Sequence, residues 1–445
     1  MNAEVKQIKT AAETALAVTF ADSKARLPGG PQTAGEREQA FKAFERRGLP
    51  HRRIEEWKYT DLRALMRDAK PLAPPPDTKA KERAKHAGEL LSGVPMHRLV
   101  FADGAFVPEL SDAVDFLAGV SIVSLSDMLA RNDAGPAFAA PSTPKALGED
   151  TAFALNIALM TDGAVIRIAK DTVVDKPIHL VFSHSGGAAA ATYTRSQIVA
   201  EPGAKVTLVE SHEGADGTDY QVNTAVGLTV GDRAEVSRVK VAREGDKALH
   251  VATLIASVGE GAKLTDFTYT LGGAVTRNQL FVTCNGKNAQ VMLAGASMLR
   301  GKQHADVTLT LDHAVGGCVS REVFKSVLDD ESRGVFQGKI VVRPDAQKTD
   351  ARMMTRALLL SEDAEADNKP ELEIFADDVQ CGHGATAGAL DENLKFYLMA
   401  RGIPEHEAES LLIQAFIGEA VETIAHEGLR QALMFDTIRW LGARG

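Results

Sequence analysis

The sequence predicts a mainly β fold with helical ends, and two observations favour a β-solenoid over an ordinary β-sandwich or barrel for its centre. From about residue 160 to about residue 390, short β-type runs separated by Gly, Asp and Pro replace helical spacing. Within this region a weak motif recurs at separations of 27 to 30 residues: a small or charged residue, alanine, a polar residue, then Val or Leu. A solenoid coil of this length buries its apolar face only by stacking on the next coil. The shared alanines are Ala204, Ala234, Ala262 and Ala289.

The composition limits the class of protein. With 445 residues the chain is long enough for two or three domains, and its 44% hydrophobic and 25% charged residues are typical of a soluble globular protein. A net charge of −10 argues against nucleic acid as the main partner, because phosphate binding needs a basic face. No run of about 18 apolar residues occurs, so no membrane span is predicted. Three cysteines and a start without an apolar signal core favour a cytoplasmic location.

An N-terminal helical domain is predicted over residues 1–96. Thr33 and Glu36 have the spacing of a capping box, and the helix that follows them should end at Gly48. Residues 69–80 are rich in proline, which is typical of a linker. An earlier helix is predicted from apolar residues at helical spacing, namely Val5, Ile8, Ala12 and Leu16.

A β-helix core is predicted over residues 97–389, and a C-terminal helical domain over residues 390–445. Near the start of the core, Asp103-Gly104 lies between two apolar runs and predicts a β-hairpin. After the core, apolar residues return to helical spacing in three successive segments. Asp391 is placed to cap the first of these three helices.

The motifs of common enzyme classes are missing from the sequence. It contains no G-x-x-x-x-G-K-[ST] phosphate loop, no G-x-G-x-x-G between a strand and a helix, no H-E-x-x-H and no G-x-S-x-G. We therefore expect this chain to bind no nucleotide itself and to have no hydrolase or dehydrogenase activity of a common class.

Cys381 and His383 form a local pair of candidate ligands. On a strand, residues two apart face the same side, so their thiol and imidazole should point the same way. The glycines at 382 and 384 leave room for a ligand or another chain to approach. Thiolate and imidazole suit zinc, iron and iron–sulfur clusters. The simpler interpretation is two ordinary residues at a strand end.

The number of cysteines limits what the chain can bind alone. A tetrahedral site needs four ligands and most iron–sulfur clusters need four thiolates, but this chain has three cysteines. The missing ligands must be histidines, carboxylates or residues of a second polypeptide, which favours a site shared between chains. Weaker candidates follow one another in residues 301–318, where His304 and Asp306 share strand parity and His313 and Cys318 come later.

Two segments resemble the SufB/SufD family of iron–sulfur cluster assembly proteins. The family's C-terminal signature is similar to residues 336–403, FQGKIVVRPDAQKTDARMMTRALLLSEDAEADNKPELEIFADDVQCGHGATAGALDENLKFYLMARGI. The N-terminal signature of its SufD branch is similar to residues 48–62, GLPHRRIEEWKYTDL. The SufB branch usually has a Glu-His pair where this chain has Gly382-His383, which favours the SufD branch. The resemblance implies a right-handed parallel β-helix flanked by helical segments.

By this resemblance, the chain is a non-catalytic scaffold subunit. Its β-helix is expected to pair with SufB, and its C-terminal helices are expected to hold the ATPase SufC, which handles ATP. The resemblance also implies that His383 joins a SufB cysteine in binding a transient iron–sulfur cluster or iron at the shared interface, with Cys381 as a second candidate. The residues expected to dock SufC are Phe396, Tyr397, Arg401, Leu411, Leu412 and Phe416.

Other interpretations differ in class. The chain could be a purely structural partner of SufB with no ligand of its own, and exposed β-helix edges would permit a homodimer when SufB is scarce. A β-helix enzyme acting on polysaccharides is less favoured, because such sites usually use clustered carboxylates or basic residues along a groove. Asp377-Asp378 is the only acidic pair close in sequence to Cys381.

Overall fold

The structure, a computed structural model, describes residues 9–113, 117–131 and 147–443. The predicted helical residues Val5 and Ile8 lie outside these ranges. The helices are α1 Ala11–Ser23, α2 Pro31–Arg47, α3 Leu62–Leu65, α4 Thr78–Ala84, α5 Leu125–Ala130, α6 Thr151–Leu159, α7 Glu392–Met399, α8 Glu405–Val421 and α9 Glu427–Gly442. Short 3-10 turns lie at Glu55–Trp57, Glu89–Leu91, Pro108–Leu110 and Leu147–Glu149.

The described residues contain nineteen strands. They are β1 His97–Ala102, β2 Ala105–Phe106, β3 Val120–Ser124, β4 Ala164–Ile168, β5 Ile178–His184, β6 Ala191–Ala200, β7 Lys205–Gly214, β8 Gln221–Val230, β9 Glu235–Arg243, β10 Leu249–Val258, β11 Lys263–Thr270, β12 Val275–Cys284, β13 Gln290–Leu299, β14 His304–His313, β15 Val319–Leu328, β16 Arg333–Val342, β17 Asp350–Leu359, β18 Glu365–Ile374 and β19 Gln380–Gly388.

Successive strands alternate between two sheets, so that β6 pairs with β8 while β7 pairs with β9. One sheet has the order β19-β17-β15-β13-β11-β9-β7-β5-β1-β2, and the other has the order β18-β16-β14-β12-β10-β8-β6-β4-β3. In the described residues these sheet pairings are parallel except β1 with β2 and β3 with β4. About eight coils therefore stack into a solenoid, which confirms the predicted fold class and excludes a sandwich or barrel.

The recurring alanine marks the same corner of successive coils, as the sequence motif predicts. Each of the four alanines is fully buried. In the next coil, the residue just after the equivalent position donates its backbone N–H to the carbonyl of each alanine, at 2.8 to 2.9 Å. The donors are Glu235, Lys263, Gln290 and Val319. A small residue is needed here because the chain turns sharply into the next strand while its side chain points into the core.

Side chains that point into the solenoid form one apolar core along its length. Alternate residues of a strand point to opposite faces, so Val206 and Leu208 of β7 lie in this core, whereas Val209 packs in a separate cluster with the C-terminal helices. Near the last coil the core includes Ala351 and Met353 of β17. The burial of these apolar rows is what fixes the register of each strand on its neighbours.

The predicted hairpin is present at the start of the solenoid. Phe101 pairs with Phe106, and Ala102 pairs with Ala105, in an antiparallel ladder. Asp103 and Gly104 at the turn both have positive φ, 48° and 79°. Two central residues in the left-handed region are typical of the tight turns that join antiparallel strands.

The predicted capping box at Thr33 and Glu36 is wrong. Helix α2 begins at Pro31 with Gly30 as its N-cap, so Thr33 lies inside the first turn. Proline is favoured at the first helical position because it needs no N–H partner there, and it moves the helix start upstream. A true capping box occurs at α1, where the Thr10 hydroxyl accepts from Glu13 N at 3.1 Å and Thr10 N donates to the Glu13 carboxylate at 2.7 Å.

The segment 48–62 is anchored on the outside of the nine-stranded sheet. Trp57 is buried, its indole Nε1 donates to Asp150 at 3.1 Å, and the Arg277 guanidinium lies 3.9 Å from its ring centroid. Arg277 forms a fully buried ion pair with Asp306. The Thr60 hydroxyl donates to the same carboxylate, so the segment satisfies a charged pair that the sheet alone would leave partly exposed.

Residues 69–80 lie along the solenoid. Ala73 N donates to Ala191 O at 2.9 Å, and Ala191 N donates to Pro71 O at 2.8 Å. Proline cannot donate to a ladder, which limits this pairing to an isolated bridge. The end of the segment already belongs to α4, which Asp77 caps.

The three C-terminal helices are present as predicted. Helices α8 and α9 bury an apolar face, including Ile417 and Leu433, against outward-facing residues of the ten-stranded sheet such as Met298. Asp391 caps α7 by accepting hydrogen bonds from two backbone N–H groups at 2.9 and 3.2 Å. Helix α7 itself has no buried residue. Within the described ranges, no helix has both the length and the apolarity needed to cross a membrane.

Candidate functional site

The predicted pair Cys381 and His383 lies on β19, the last strand of the ten-stranded sheet. Among the described residues, β19 pairs with β17 on one edge and with no strand on the other. In this register Cys381 lies beside Ala351 and His383 lies beside Met353. Both neighbours are core residues, so the row that carries the candidate ligands continues the inner face of the solenoid to its end.

The two candidate ligands differ in exposure. The Cys381 side chain is half-buried and packs against the solenoid core, and this burial raises the pKa of its thiol above the usual range. His383 is exposed. The imidazole is therefore accessible to a second chain, whereas the thiol is shielded and held in its protonated form.

A shallow hollow of about 550 Å³ surrounds His383. An added Cβ at Gly382 would meet no atom within 4 Å, so this glycine leaves open space as predicted. At Gly384 a Cβ would lie 2.6 Å from Met354 Cε, so this glycine lets the methionine pack across the strand. The hollow is lined by Arg321, Glu322, Val323, Arg352, Met353, Met354 and residues 380–384.

Glu322 places a buried carboxyl group beneath this hollow. The side chain is fully buried, and neither carboxylate oxygen has a hydrogen-bond partner within the described residues. Burial raises the pKa of Glu322 to about 8. An acid with this pKa is largely protonated at neutral pH, so the floor of the hollow carries less negative charge than the sequence alone would indicate.

The weaker candidates His313 and Cys318 are brought together with Cys284, which sequence reasoning did not select. One ligand atom from each of the three side chains lies within 4.8 Å of the other two, and all three residues are buried. The hydrogen bond from Cys284, with a smaller contribution from His313, lowers the pKa of Cys318 to about 5. The pKa of Cys284 is raised, first by this hydrogen bond and then by burial.

His304 lies apart from both groups. Its Nε2 is 2.8 Å from the Thr60 hydroxyl, and burial lowers the pKa of the imidazole. Asp306 contacts the same Thr60, so the two residues do face together as their parity predicts. They hold the N-terminal segment against the nine-stranded sheet, and the structure gives them no contact with Cys381 or His383.

A second buried group of metal-type side chains lies further inside the solenoid and was also missed from the sequence. His212, Glu244 and His250 place ligand atoms within 4.8 Å of one another. Burial raises the pKa of Glu244 to about 7 and lowers that of His212 to about 4. Arg238, paired with Glu210 and Asp266, and Lys240 lie in the same polar interior.

The predicted docking residues lie on α7 and α8 and in the loop between them. Phe396, Tyr397 and Leu411 are 72%, 54% and 41% exposed. Arg401 stacks on Tyr397, with its guanidinium carbon 3.4 Å from the ring centroid. Leu412 and Phe416 are half-buried, and the Lys325 ammonium lies 4.4 Å from the Phe416 ring centroid.

Most of the chain matches the models of two known protein-family domains. Residues 182–416 match a family model described as "SUF system FeS cluster assembly, SufBD core domain", and residues 30–180 match "SufBD protein N-terminal region". The first match covers more than half of the chain. The chain therefore belongs to the SufBD family of the SUF iron–sulfur cluster assembly system.

Known relatives confirm the expected SufD branch. The chain is 30% identical to the iron–sulfur cluster assembly protein SufD of Escherichia coli (strain K12), over 91% of this chain and 92% of that protein. It is 32% identical to an iron–sulfur cluster assembly SufBD family protein of Synechocystis sp., over 86% of each chain. It is 28% identical to SufD of Bacillus subtilis (strain 168), over 63% of this chain and 64% of that protein.

Proposed function

We propose that this chain is a non-catalytic, SufD-type scaffold subunit that presents His383 as a ligand to iron or to a nascent iron–sulfur cluster shared with SufB. The observation that carries this proposal is the position of His383. Its imidazole is exposed at the end of the solenoid, next to a half-buried thiol, on a strand with one edge that no strand of the described ranges pairs with. An unpaired strand edge is a template for pairing with another chain, so an interface at this end would bring a partner's residues to the imidazole.

The ligands of this chain support a shared site rather than a complete one. Cys284 and Cys318 are buried inside the solenoid, which leaves Cys381 as the cysteine beside His383. One imidazole and one shielded thiol fall short of the four ligands that a cluster needs. SufB is the proposed source of the others. Histidine is a neutral ligand and raises the potential of a cluster relative to thiolate, which suits a cluster that is assembled and then released.

We propose that the C-terminal helices transmit force from the ATPase SufC to the solenoid. Helix α8 packs on β13 and β15, which belong to the sheet that ends at β19. The Lys325 ammonium on β15 is paired with Glu419 of α8 and stacks on Phe416. A force applied to α8 would therefore reach the sheet that carries His383. The chain has no phosphate loop of its own, which agrees with ATP being bound by SufC.

The experiment that tests the proposal replaces His383 with Ala in the complex purified with SufB and SufC. Iron and acid-labile sulfide bound per complex are expected to fall severalfold while the three proteins still co-purify. The matched control is His86→Ala, which removes another exposed imidazole, one paired with Glu89 on the 3-10 turn that follows it. Cluster content in this control should equal that of the unmodified complex.

The same experiment separates the ligand role from a purely structural one. If His383→Ala leaves both the complex and its iron and sulfide content unchanged, the chain acts as a structural partner of SufB and the ligand role is wrong. If the complex itself falls apart, the Cys381→Ala variant reports whether any loss of side-chain bulk on β19 has the same effect.

A further inference from the structure

The coil repeat brings three soft ligands together at one buried corner. Cys284 ends β12 and His313 ends β14, and the two are direct neighbours in the parallel register. Both lie in rows that point into the solenoid, because Val282 and Leu311, two residues before each, belong to its core. Cys318 lies across the turn from them, just before β15.

Cys318 occupies the alanine position of the repeat. Its carbonyl accepts from Asp350 N at 3.1 Å, in the same way that the carbonyl of Ala289 accepts from Val319 N one coil earlier. The coil therefore places a thiol where four preceding coils place a methyl group. The sulfur points at the same corner of the core, towards Cys284 and His313.

The separations between the three side chains fit a metal centre. A tetrahedral ion bound at about 2.3 Å to sulfur and about 2.0 Å to nitrogen holds its ligand atoms roughly 3.5 to 3.8 Å apart. The three atoms lie within 4.8 Å of one another, so each separation exceeds that spacing by at most about 1 Å. His313 Nδ1 has no hydrogen-bond partner in the described structure, while Nε2 lies 3.1 Å from the Ser320 hydroxyl. A hydrogen-bond acceptor on the second nitrogen fixes the orientation of a metal-binding imidazole, and the oxygen of the Ser320 hydroxyl is placed to serve as that acceptor.

We propose that Cys284, His313 and Cys318 form a binding site for one thiophilic divalent cation, zinc or ferrous iron, inside the solenoid. Two thiolates and an imidazole select such ions over calcium and magnesium, which prefer oxygen. Three protein ligands leave a fourth position for water or another donor, as in open zinc sites rather than closed structural ones. The site differs from the proposed shared cluster site, and it stands whether or not His383 is a cluster ligand.

Neighbouring coils supply substitutions that the fold accepts. Cys318→Ala restores the alanine of the repeat. Cys284→Val introduces the residue found at the neighbouring position of β10, where Val258 pairs with Cys284. Both variants should fold, and their far-UV circular dichroism and metal-free melting temperatures should be close to those of the unmodified chain.

The test titrates Co²⁺ into the isolated full-length chain under anaerobic conditions. One Co²⁺ per chain should bind, with thiolate-to-cobalt charge-transfer absorption and the visible bands of a tetrahedral ion. This signal should be lost in Cys318→Ala and in Cys284→Val. It should persist in Cys381→Ala and His383→Ala, which alter the proposed cluster site only. Displacement of the cobalt by Zn²⁺ or by Fe²⁺ then identifies which ion the site prefers.

Two results would overturn the proposal. One is the absence of a stoichiometric cobalt–thiolate spectrum in the unmodified chain. The other is an unchanged spectrum in folded Cys318→Ala. Thermal denaturation gives a second readout, because an ion that binds only the folded state raises the melting temperature. Zn²⁺ should raise the melting temperature of the unmodified chain and leave that of Cys318→Ala in place; an equal rise in both also contradicts the site.

Discussion

His383 and Cys381 lie two residues apart on one strand, yet their surroundings give them different chemical roles. The imidazole is exposed, while the thiol packs on the core and has a raised pKa. A thiol must lose its proton to bind iron, and burial in an apolar setting opposes this. A neutral imidazole needs no such step. We therefore expect His383 to be the better ligand at this end of the solenoid, where Cys381 packs against the core.

Glu322 gives the stability of the protein a specific pH dependence. Its pKa is about 8 in the folded protein, raised by burial, against about 4.3 in an unfolded chain. Between these values the unfolded state has released the proton and the folded state has kept it, so the contribution of Glu322 to stability falls as pH rises. Glu322→Gln removes this ionisation. Relative to the unmodified chain, the variant should gain on the order of 3 kcal/mol in unfolding free energy between pH 5 and pH 8.

Urea denaturation at a series of pH values measures this difference. A suitable control is Glu331→Gln, because Glu331 is an exposed carboxylate paired with the exposed Lys302. Exposed pairs contribute little, so the control should follow the unmodified protein at every pH. A Glu322→Gln curve parallel to that of the unmodified chain would show that the carboxyl group finds a charged partner or water in the folded state.

Sequence reasoning found Cys381 and His383 because their relation is local: two residues on one strand share a face. It left out Cys284 because this residue meets His313 and Cys318 only when successive coils are stacked in the correct register. A usable signal was nevertheless present. Cys284 and His313 are 29 residues apart in the sequence, and Cys318 follows Ala289 by the same interval, within the period of the alanine motif. Applying that period to the cysteines and histidines would have aligned Cys284 with His313 and placed Cys318 at the alanine position. That these two positions meet across the turn depends on the fold.

At the scale of elements, the sequence predicted a helix start correctly only where the capping residue alone determines that start. Asp391 caps α7 as predicted, since its carboxylate accepts from two free N–H groups. The Thr33 prediction was wrong because Pro31 had already set the start of α2. Strand positions followed from the turn residues between apolar runs. The turn residues did not predict that the strands belong to two separate sheets, because this depends on which sides of the coil the turns connect.

Helix α7 exposes an aromatic surface, consisting of Phe396 and Tyr397, that predicts a protein partner. Replacing both residues with Ser should weaken co-purification with SufC severalfold without altering the stability of the chain, because neither ring is buried. A pull-down of SufC by the tagged chain measures this. The matched control is Phe435→Ser, which removes a 61% exposed ring from α9. Equal retention of SufC by the double variant and the control would place the docking surface elsewhere.

At the scale of the whole molecule, the two ends of the solenoid differ. At the first end, β2 and β3 finish the two sheets as antiparallel strands. At the other end, β18 and β19 are parallel strands whose side chains are mostly exposed or half-buried, unlike those of the central coils. In a stacked repeat the stability of a coil depends on its neighbours, so a last coil with one neighbour is the least stable.

Amide hydrogen exchange tests whether this end is the interface. In the isolated chain, residues 365–388 should exchange faster than the central strands, because the last coil opens without unfolding the rest. Addition of SufB should slow exchange in β19 and β18 and leave β2 and β3 at the opposite end unchanged. Slow exchange throughout 365–388 in the isolated chain at micromolar concentration, lost on dilution, would instead show that the same edge pairs with a second copy. If SufB protects the first end and leaves β19 as it was, His383 does not face the partner.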